Sequence, residues 1–437
     1  MENVVHGFLG LLFVLGIAFL FSNNKRKVNW KLILYGVIMQ FLFALFVLKT
    51  PYGKTIIAWI SKGFVSLLSY SLQGAQFVFG PLGLPPGTDG SFGMIFAFQV
   101  LPTIIFFAAV MGVLYHLGVM QKIVQGMAWV MGKILGPSGA ESLSFAASVF
   151  IGQTEAPLVV RPYIATMTQS ELLTMMIGGM AHIAGGVMAA YVQMLGVAFA
   201  AAKGWPVDTA QVQFAGHLLA ASVMSAPATM IIAKMLIPET GNPLTQGSVK
   251  IKIEKQHSNV IEATASGAAD GVRLAINVAA MLIAFIALIY LVNAILGGIG
   301  DWTGLNAMLM QTYGKPLSLE LLFGFVLQFV AYAIGVPWKD AMNVGSLMGI
   351  KLVLNEFVAY SRLSEMISSH LLSEKAIIIA TYVLCVFANF SSIAIQIGGI
   401  SPLAESRRGD IAKLGLKAVL GGTIATLMTA SIAGILL

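Results

Sequence analysis

Charge is what this chain has least of. Only 10% of its 437 residues are Asp, Glu, Lys or Arg, whereas 58% are hydrophobic. A soluble domain carries about 25% charged residues, so an ordinary soluble fold is excluded. The apolar runs are long and rich in Gly and Ala, which favours transmembrane helices over a barrel of short alternating strands. We therefore expect an all-α integral membrane protein that lies in a lipid bilayer.

Cysteine and enzyme motifs are also nearly absent. Cys385 is the single cysteine, which excludes an intrachain disulfide. The chain has no His-Glu-x-x-His, Gly-x-Ser-x-Gly or Cys-x-x-Cys sequence, so we expect neither an enzyme nor a cofactor. The net charge of +7 could indicate an anionic partner, but an excess of cytoplasmic Lys and Arg is typical of membrane proteins. We therefore expect no nucleic-acid partner.

Apolar stretches long enough to cross a membrane recur along the chain. We place about eight spans, near 5–22, 30–49, 95–118, 170–201, 207–237, 271–297, 375–400 and 411–435. Residues 50–93 mix apolar residues with Pro and Gly, so we expect an interfacial helix and loop there. With the N-terminus outside, the densest basic segments, Lys25-Arg26-Lys27, 250–257 and Arg407-Arg408, fall in the cytoplasm as the positive-inside rule requires. This topology puts both termini outside and makes the first span a retained helix rather than a signal peptide.

Two acidic residues lie where a bilayer disfavours them. Glu155 and Glu356 each interrupt an apolar region, and a carboxylate at mid-membrane costs roughly 3 kcal/mol. We expect residues 138–166 and 317–360 to form re-entrant hairpins that carry these two residues. Each hairpin precedes an interrupted span, at His182 and at Asn389, and the two hairpins enter from opposite sides. The pattern predicts an inverted repeat, which is typical of transporters.

The repeat divides the chain into five expected parts. They are N-terminal scaffold helices (1–118), a first transport-domain repeat (119–237), a cytoplasmic linker (238–270), a scaffold helix with an outer interfacial segment (271–316) and a second repeat (317–437). The linker is the distinctly hydrophilic stretch, with Lys250, Lys252, Glu254 and Lys255. Its composition favours a segment that lies in water between the two repeats.

In the first hairpin, Gln153, Thr154 and Glu155 place an amide, a hydroxyl and a carboxylate on consecutive residues. A regular helix would point them in different directions, but an unwound tip lets them converge on one flat ligand. Their donors and acceptors suit the edge of a nucleobase. The alternative is helix capping, which accounts for Thr154 but not for a buried Glu155.

In the second hairpin, Asn355 and Glu356 form an acceptor cluster. A carboxylate that accepts from two vicinal hydroxyls is suited to a ribose, because hydrogen bonds to charged groups are the stronger ones. The alternative is a structural ion pair between Glu356 and Lys351 or Arg362.

The interrupted spans add further polar groups. His182 lies between two Gly pairs and is either a core histidine bonded to a backbone carbonyl or part of an ion or proton site. Asn389 and Ser392 supply an amide and a hydroxyl within one turn of the second break. Phe387 can stack on a base or simply pack in the core.

The motifs at 152–158, 355–360 and 387–393, in this order, resemble those of the concentrative nucleoside transporter family over nearly the whole chain. The resemblance implies a bacterial inner-membrane transporter that imports nucleosides such as uridine by symport with H⁺ or Na⁺. It also implies a homotrimer whose protomers each have a scaffold domain and a transport domain that moves as an elevator.

The resemblance assigns roles residue by residue. It implies Gln153, Thr154 and Glu155 for the nucleobase, Glu356, Asn389 and Ser392 for the ribose, and Val187 and Phe387 as further lining of the pocket. The implied coupling-ion positions are Ser148, Ile151, His182 and Ile183, the isoleucines through their backbone carbonyls. Family members usually carry Asn in place of Ser148 and a small hydroxyl residue in place of His182. Na⁺ favours oxygen ligands such as those of Ser148, Ile151 and Ile183, whereas a histidine prefers a proton or a transition metal, so both H⁺ and Na⁺ stay open.

Two other classes compete with a transporter. A passive pore also uses polar re-entrant loops, but two separate acceptor clusters on opposed hairpins fit an occluded site better. A membrane-embedded enzyme would need a nucleophile–base pair or metal ligands within reach, and the polar clusters offer no obvious pair.

Overall fold

The computed structural model describes residues 2–86, 88–245 and 257–437, with side chains from residue 6 onward. Within these ranges the secondary structure is entirely helical. The linker residues Lys250, Lys252, Glu254 and Lys255 lie outside the described residues.

The helices follow one another with short connections. Their bounds are α1 Glu2–Leu20, α2 Trp30–Lys49, α3 Pro51–Phe79, α4 Phe96–Gln99, α5 Leu101–His116, α6 Val119–Leu135, α7 Gly139–Ser148, α8 Arg161–Ile164, α9 Gln169–Ala181, α10 Gly185–Lys203, α11 Val207–Leu236, α12 Val260–Trp302, α13 Leu305–Tyr313, α14 Leu319–Ala333, α15 Trp338–Val353, α16 Glu356–Ser368, α17 Glu374–Leu384, α18 Phe390–Ile400 and α19 Arg408–Leu436. In the described ranges, seven helical stretches are long and apolar enough to cross a membrane, or up to eight if the pair α14–α15 is one span.

The expected hairpins and interrupted helices are present. Hairpin 1 consists of α7, an unwound tip at 149–155, and a short second arm that ends with α8. Hairpin 2 consists of α15, a break at 354–355, and α16. Break 1, at 182–184, separates α9 from α10, and break 2, at 385–389, separates α17 from α18. The order hairpin, then interrupted helix, therefore occurs twice, as the inverted-repeat prediction requires.

Three boundaries differ from the sequence-based expectation. Residues 51–79 form one continuous helix, α3, rather than a mixture of helix and loop, because its Pro residue sits in the first turn where a missing N–H costs nothing. In the predicted second hairpin, α14 comes first and bends by 118° into α15, and Gly335 at φ 103° supplies the turn. The helix α12 begins at Val260, so its first turns occupy part of the predicted linker.

The core is centred on α11 and α19. In the most apolar stretch of each of these two helices, 89% is buried inside the protein, whereas the corresponding stretch of α12 is 17% buried. The long helix α12 instead lies along α5, where glycines bring the two backbones together. A Cβ on Gly267 would lie 2.6 Å from the carbonyl oxygen of Ala108, and one on Gly271 would lie 2.6 Å from the Cα of Ile105. Small residues at such a crossing are typical of helix packing in membranes.

The first two helices pack on the core helices rather than on the α5–α12 pair. The side-chain amide of Gln40 on α2 donates to the hydroxyl of Thr429 on α19 at 2.9 Å, and Gln40 is fully buried. Where the chain leaves α1, the N–H of Asn23 donates to the carbonyl of Leu236, at the end of α11, at 2.9 Å. These contacts join the N-terminal segment to both core helices.

Gly10 provides a test of the packing between α1 and α14. A Cβ on Gly10 would overlap the backbone carbonyl of Ala333, whereas Gly16 of the same helix has no atom within 4 Å of its Cβ position. We expect Gly10→Ala to lower the free energy of unfolding by about 1–3 kcal/mol, the usual cost of overpacking. Gly16→Ala should leave stability unchanged or raise it by up to about 1 kcal/mol, because Ala favours helix. Thermal unfolding in detergent measures both, and equal stability of the two variants would contradict this packing.

Candidate functional site

Two backbone carbonyls in the tip of hairpin 1 accept hydrogen bonds from neighbouring helices. The N–H of Gly185, the first residue of α10, donates to the carbonyl oxygen of Phe150 in the hairpin tip at 3.3 Å. From α11, the hydroxyl of Ser222 donates to the carbonyl oxygen of Val149 at 3.0 Å. Both bonds provide partners for carbonyl groups that have left the helix, which an apolar environment demands.

Glu356 receives a hydrogen bond on each of its carboxylate oxygens. The hydroxyl of Tyr191 on α10 donates to Oε1 at 3.1 Å, and the side-chain amide of Asn389 in break 2 donates to Oε2 at 3.2 Å. Glu356 is only 4% exposed. Each oxygen keeps a free lone pair, because an ionised carboxylate has about four acceptor sites. The group is therefore held in place and still able to accept from a ligand.

Asn389 connects this carboxylate to the start of α18. Its Oδ1 accepts from the N–H of Ser392 at 2.9 Å, which caps the helix, while its Nδ2 donates to Glu356. Asn355 does the same for hairpin 2, since its Oδ1 accepts from the N–H of Val358 at 2.9 Å and so caps α16. Asn is among the strongest N-cap residues, which explains why the helices restart at these positions.

Gln153 extends the same network into hairpin 1. Its Nε2 donates to the hydroxyl of Ser392 at 3.1 Å, and that hydroxyl donates to the carbonyl oxygen of Phe387 at 2.5 Å. The Oε1 of Gln153 is buried and has no hydrogen-bond partner among the described residues. A buried acceptor without a donor is costly, so this oxygen is positioned to receive an N–H from a ligand.

Thr154 and Glu155 lie nearer the surface than expected. Thr154 is half-buried and its hydroxyl donates to Oε1 of Glu155 at 3.0 Å. Glu155 is exposed, so the expectation of a buried carboxylate at this tip was wrong for the chain in this conformation. The capping alternative is not seen either, because the side chain of Glu155 makes no cap hydrogen bond at the following turn.

The predicted ion-coupling residues surround break 1. Ser148 and His182 are 2% and 1% exposed, and Ile183 is also buried. The hydroxyl of Ser148 donates to the carbonyl of Ser144 at 2.9 Å, which leaves its lone pairs free. His182 holds its Nδ1 2.7 Å from the carbonyl oxygen of Gly178, so Nδ1 carries a proton, and Nε2 is an acceptor in the neutral form of the ring. That Nε2 is buried and unpartnered among the described residues.

Val187 and Phe387 belong to the two interrupted helices. Val187 is buried on the first turn of α10, and Phe387 is half-buried within break 2. Tyr191, one turn after Val187, is the contributor that sequence reasoning missed. An intramembrane tyrosine on the same helix face as Val187 was the available signal, because a buried phenol normally needs a hydrogen-bond partner.

The alternative role for Glu356 as half of a structural ion pair is not observed. Arg362 instead bonds Glu365 at 2.7 Å and lies 3.8 Å from Glu320. Over the described ranges, no Lys or Arg forms an ion pair with Glu356, and no group of His, Cys, Asp and Glu could hold a metal ion. The side-chain hydrogen bonds to the Glu356 carboxylate thus come from the neutral groups of Tyr191 and Asn389.

Comparisons with known families agree with this architecture along the chain. Residues 217–434 match the family described as Na⁺ dependent nucleoside transporter C-terminus, and residues 9–82 match its N-terminal counterpart. Residues 97–198, which include hairpin 1 and break 1, match the family described as Gate: Nucleoside recognition.

Individual relatives extend over the full length of the chain. The uncharacterized transporter YutK of Bacillus subtilis is 43% identical over 433 residues, covering 99% of both chains. Sodium/nucleoside cotransporter 1 of Mus musculus is 38% identical over 443 residues, covering 98% of this chain and 63% of its own. The structure of CNTnw in an inward-facing substrate-bound state is similar with a TM-score of 0.87 and 41% identity, covering 99% of this chain and 98% of that one. A CNTnw variant in an outward-facing state has the same TM-score, 40% identity, and 100% and 98% coverage.

The helical repeat and its two opposed hairpins define a multi-pass membrane transporter. The chain belongs to the Na⁺-dependent, concentrative nucleoside transporter family. Its function is accordingly the cation-coupled import of nucleosides, and it is not an enzyme. The prediction of an all-helical, elevator-type fold is confirmed, since CNTnw shares this fold in outward-facing and inward-facing states.

Tyr191 is the residue whose contribution is easiest to isolate. Tyr191→Phe removes one donor from Glu356 but keeps the ring, which stacks on Tyr360 at a centroid distance of 4.2 Å. We expect the half-saturating nucleoside concentration to rise by up to about tenfold, because a carboxylate that has lost one of its two side-chain donors is held less well for the ligand.

Tyr360→Phe is the matched control, because its hydroxyl donates to the carbonyl of Thr381 at 2.7 Å and not to Glu356. It should leave the half-saturating nucleoside concentration nearly unchanged. Uptake into proteoliposomes over a range of nucleoside concentrations measures both variants. Equal shifts would mean that Tyr191 acts only through packing.

Proposed function

We propose that this chain imports uridine-like nucleosides across the bacterial inner membrane and binds them between the two hairpin tips and break 2. The network that runs from Gln153 through Ser392 and Asn389 to Glu356 is the observation that supports this site. It links hairpin 1, break 2 and hairpin 2 in one polar strip inside an otherwise apolar core. A nucleoside has a base and a ribose at its two ends, and the strip has an amide at one end and a carboxylate at the other.

The free acceptors and donors suit the two parts of a nucleoside. Gln153, Thr154 and Glu155 bind the base, with the unpartnered Oε1 of Gln153 accepting one of its N–H groups. Glu356 accepts from the ribose hydroxyls, with Asn389 and Ser392 beside it. Val187 and Phe387 provide the apolar walls, which exclude water and so strengthen these hydrogen bonds.

The coupling cation binds at break 1, close to the base-binding tip. A sodium ion would be held by oxygen atoms of Ser148, Ile151 and Ile183, whereas a proton would bind Nε2 of His182. The unpartnered Nε2 supports a proton, and the oxygen ligands support sodium. Either ion would order the tip that presents Gln153, so cation and nucleoside should bind cooperatively.

The moving body comprises the two repeats, 119–237 and 317–437, and slides against α5 and α12 of the scaffold. Because α1 and α2 bond to α11 and α19, we place them with the moving body, although the sequence favoured the scaffold. The exposed face of α12 provides apolar surface for a homotrimer. The positive-inside rule supports placing both termini outside.

Uptake under separate gradients tests this function. Proteoliposomes with the wild-type protein should accumulate radiolabelled uridine when either an inward Na⁺ gradient or an inward proton gradient is imposed. One positive charge moving inward gains about 2.3 kcal/mol per 100 mV, or roughly 50-fold accumulation. Equilibration that responds to neither gradient would contradict the proposal, and competition by unlabelled purine and pyrimidine nucleosides gives the substrate preference.

Glu356→Gln tests the ribose site. It should abolish accumulation because a neutral amide accepts more weakly from the hydroxyls and brings a competing donor. The control is Glu365→Gln, because the Glu365 carboxylate is 58% exposed and bonds Arg362. This variant should transport normally. Normal affinity of Glu356→Gln for uridine would remove Glu356 from the site.

His182→Asn tests the coupling ion. If a proton couples transport, this variant should lose proton-driven accumulation while retaining exchange of internal for external uridine. His217→Asn is the control, since His217 is half-buried on α11 with its Nδ1 3.4 Å from the Tyr382 hydroxyl. Unchanged proton-driven accumulation in His182→Asn would mean that the coupling proton does not bind His182.

A further inference from the structure

The first arm of hairpin 1 and the first half of the interrupted helix begin at the same place. Helix α7 starts at a capping box of Ser138 and Glu141, and α9 starts at a capping box of Thr168 and Glu171. In each box the hydroxyl accepts from the N–H of the glutamate, and the glutamate accepts from the N–H of the cap residue. Both helix starts therefore lie inside the protein, with glutamates that are 1% and 2% exposed.

One lysine from α11 contacts both helix starts. Lys234 is 6% exposed, and its ammonium group forms an ion pair with Glu141 on α7. The same nitrogen donates to the hydroxyl of Ser170, in the first turn of α9, at 2.8 Å. Its third partner is Glu239, at 3.4 Å, just after α11 ends. The contacts with Ser170 and Glu239 are hydrogen bonds, and the contact with Glu141 is an ion pair.

Glu239 is the most exposed member of this cluster. Its carboxylate also accepts from the hydroxyl of Thr168 at 2.8 Å and from the N–H of Gly241 at 2.9 Å. Partial burial alone would raise the pKa of Glu239, but the charge of Lys234 and these hydrogen bonds outweigh it and lower the pKa below its ordinary value. Glu239 is therefore ionised at neutral pH.

From this cluster, α7 and α9 run side by side to the proposed cation site. Helix α7 has 10 residues and ends at Ser148, and α9 has 13 and ends one residue before His182. The helices are also in contact near their far ends, where a Cβ on Gly178 would lie 3.1 Å from the Cβ of Phe145. At a rise of 1.5 Å per residue, the far ends of α7 and α9 lie about 15–20 Å from their starts at Lys234.

We propose that Lys234 is a positioning residue for cation coupling, because it fixes the starts of α7 and α9 to one point and so sets the spacing of Ser148 and His182 at their ends. The inference rests on the proposed location of the coupling cation at break 1. Lys234 contacts none of the proposed nucleoside ligands. Replacing Lys234 should therefore weaken cation binding more than nucleoside binding.

The test compares Lys234→Met, Lys234→Arg and wild type in proteoliposomes, with Lys203→Met as control. Lys203 pairs with Glu374 at 3.2 Å with both side chains more than 40% exposed, and such surface pairs contribute little. For Lys234→Met we expect the half-saturating cation concentration to rise at least tenfold, within the about 5- to 150-fold range of couplings between sites. At saturating cation, the half-saturating uridine concentration should change less than about twofold. Lys234→Arg should recover most of the cation affinity, since it keeps the charge.

A double variant separates alignment from folding. Lys234→Met leaves Glu141 buried without its counter-charge, so this variant should be less stable than wild type. The double variant Lys234→Met with Glu141→Gln removes both charges, so it should unfold at a higher temperature than the single variant. If alignment is the role of Lys234, the double variant keeps the raised half-saturating cation concentration. Return of that concentration to the wild-type value would overturn the proposal, as would a folded Lys234→Met with unchanged cation affinity. If wild type itself shows no cation-driven uptake, the proposed function fails before Lys234 is tested.

Discussion

Backbone groups that leave a helix inside an apolar core must find partners in the protein, because no water is there to replace them. Four interruptions in this chain meet that demand in two ways. Around hairpin 1, the carbonyls of Val149 and Phe150 accept from Ser222 and Gly185. At hairpin 2 and break 2, Asn355 and Asn389 restart the helices by capping them. The polar site exists only because each interruption is stabilised in this way.

The residues that stabilise the interruptions are mostly the residues of the proposed nucleoside site. Asn389 caps α18 and also donates to Glu356, and Ser392 holds the Phe387 carbonyl while it accepts from Gln153. The proposed binding site and the fold therefore share the same hydrogen bonds. These shared bonds join the tip of hairpin 1, break 2 and Glu356, while Oε1 of Gln153 stays unpartnered among the described residues.

Much of this arrangement could be predicted from the sequence, and the reasons for the failures are physical. Glu356 and Asn389 were predictable because charge and amide are conspicuous within apolar segments, and the energetic cost of burying them implies a role. The exposure of Glu155 was not predictable, since it depends on how far hairpin 1 stands from its neighbours in one conformation. Tyr191 was missed because a tyrosine is ordinary in an apolar helix, and only the fold brings it to a residue 165 positions away. The continuity of α3 depended on where its proline fell within the helix, which composition does not reveal.

The double use of Asn389 has a consequence for which sequences this fold can tolerate. Asparagine and aspartate are nearly equal as helix caps, and elsewhere they replace one another at little cost. Here an aspartate could still accept from the N–H of Ser392, but it would turn a second negative charge towards Glu356 where an amide now donates. Like charges at that separation in an apolar site repel strongly, so one carboxylate would have to take up a proton. Aspartate is therefore not tolerated at position 389, although it is the substitution that a helix cap accepts most readily. The residues that this cap allows are set by the Glu356 carboxylate rather than by α18.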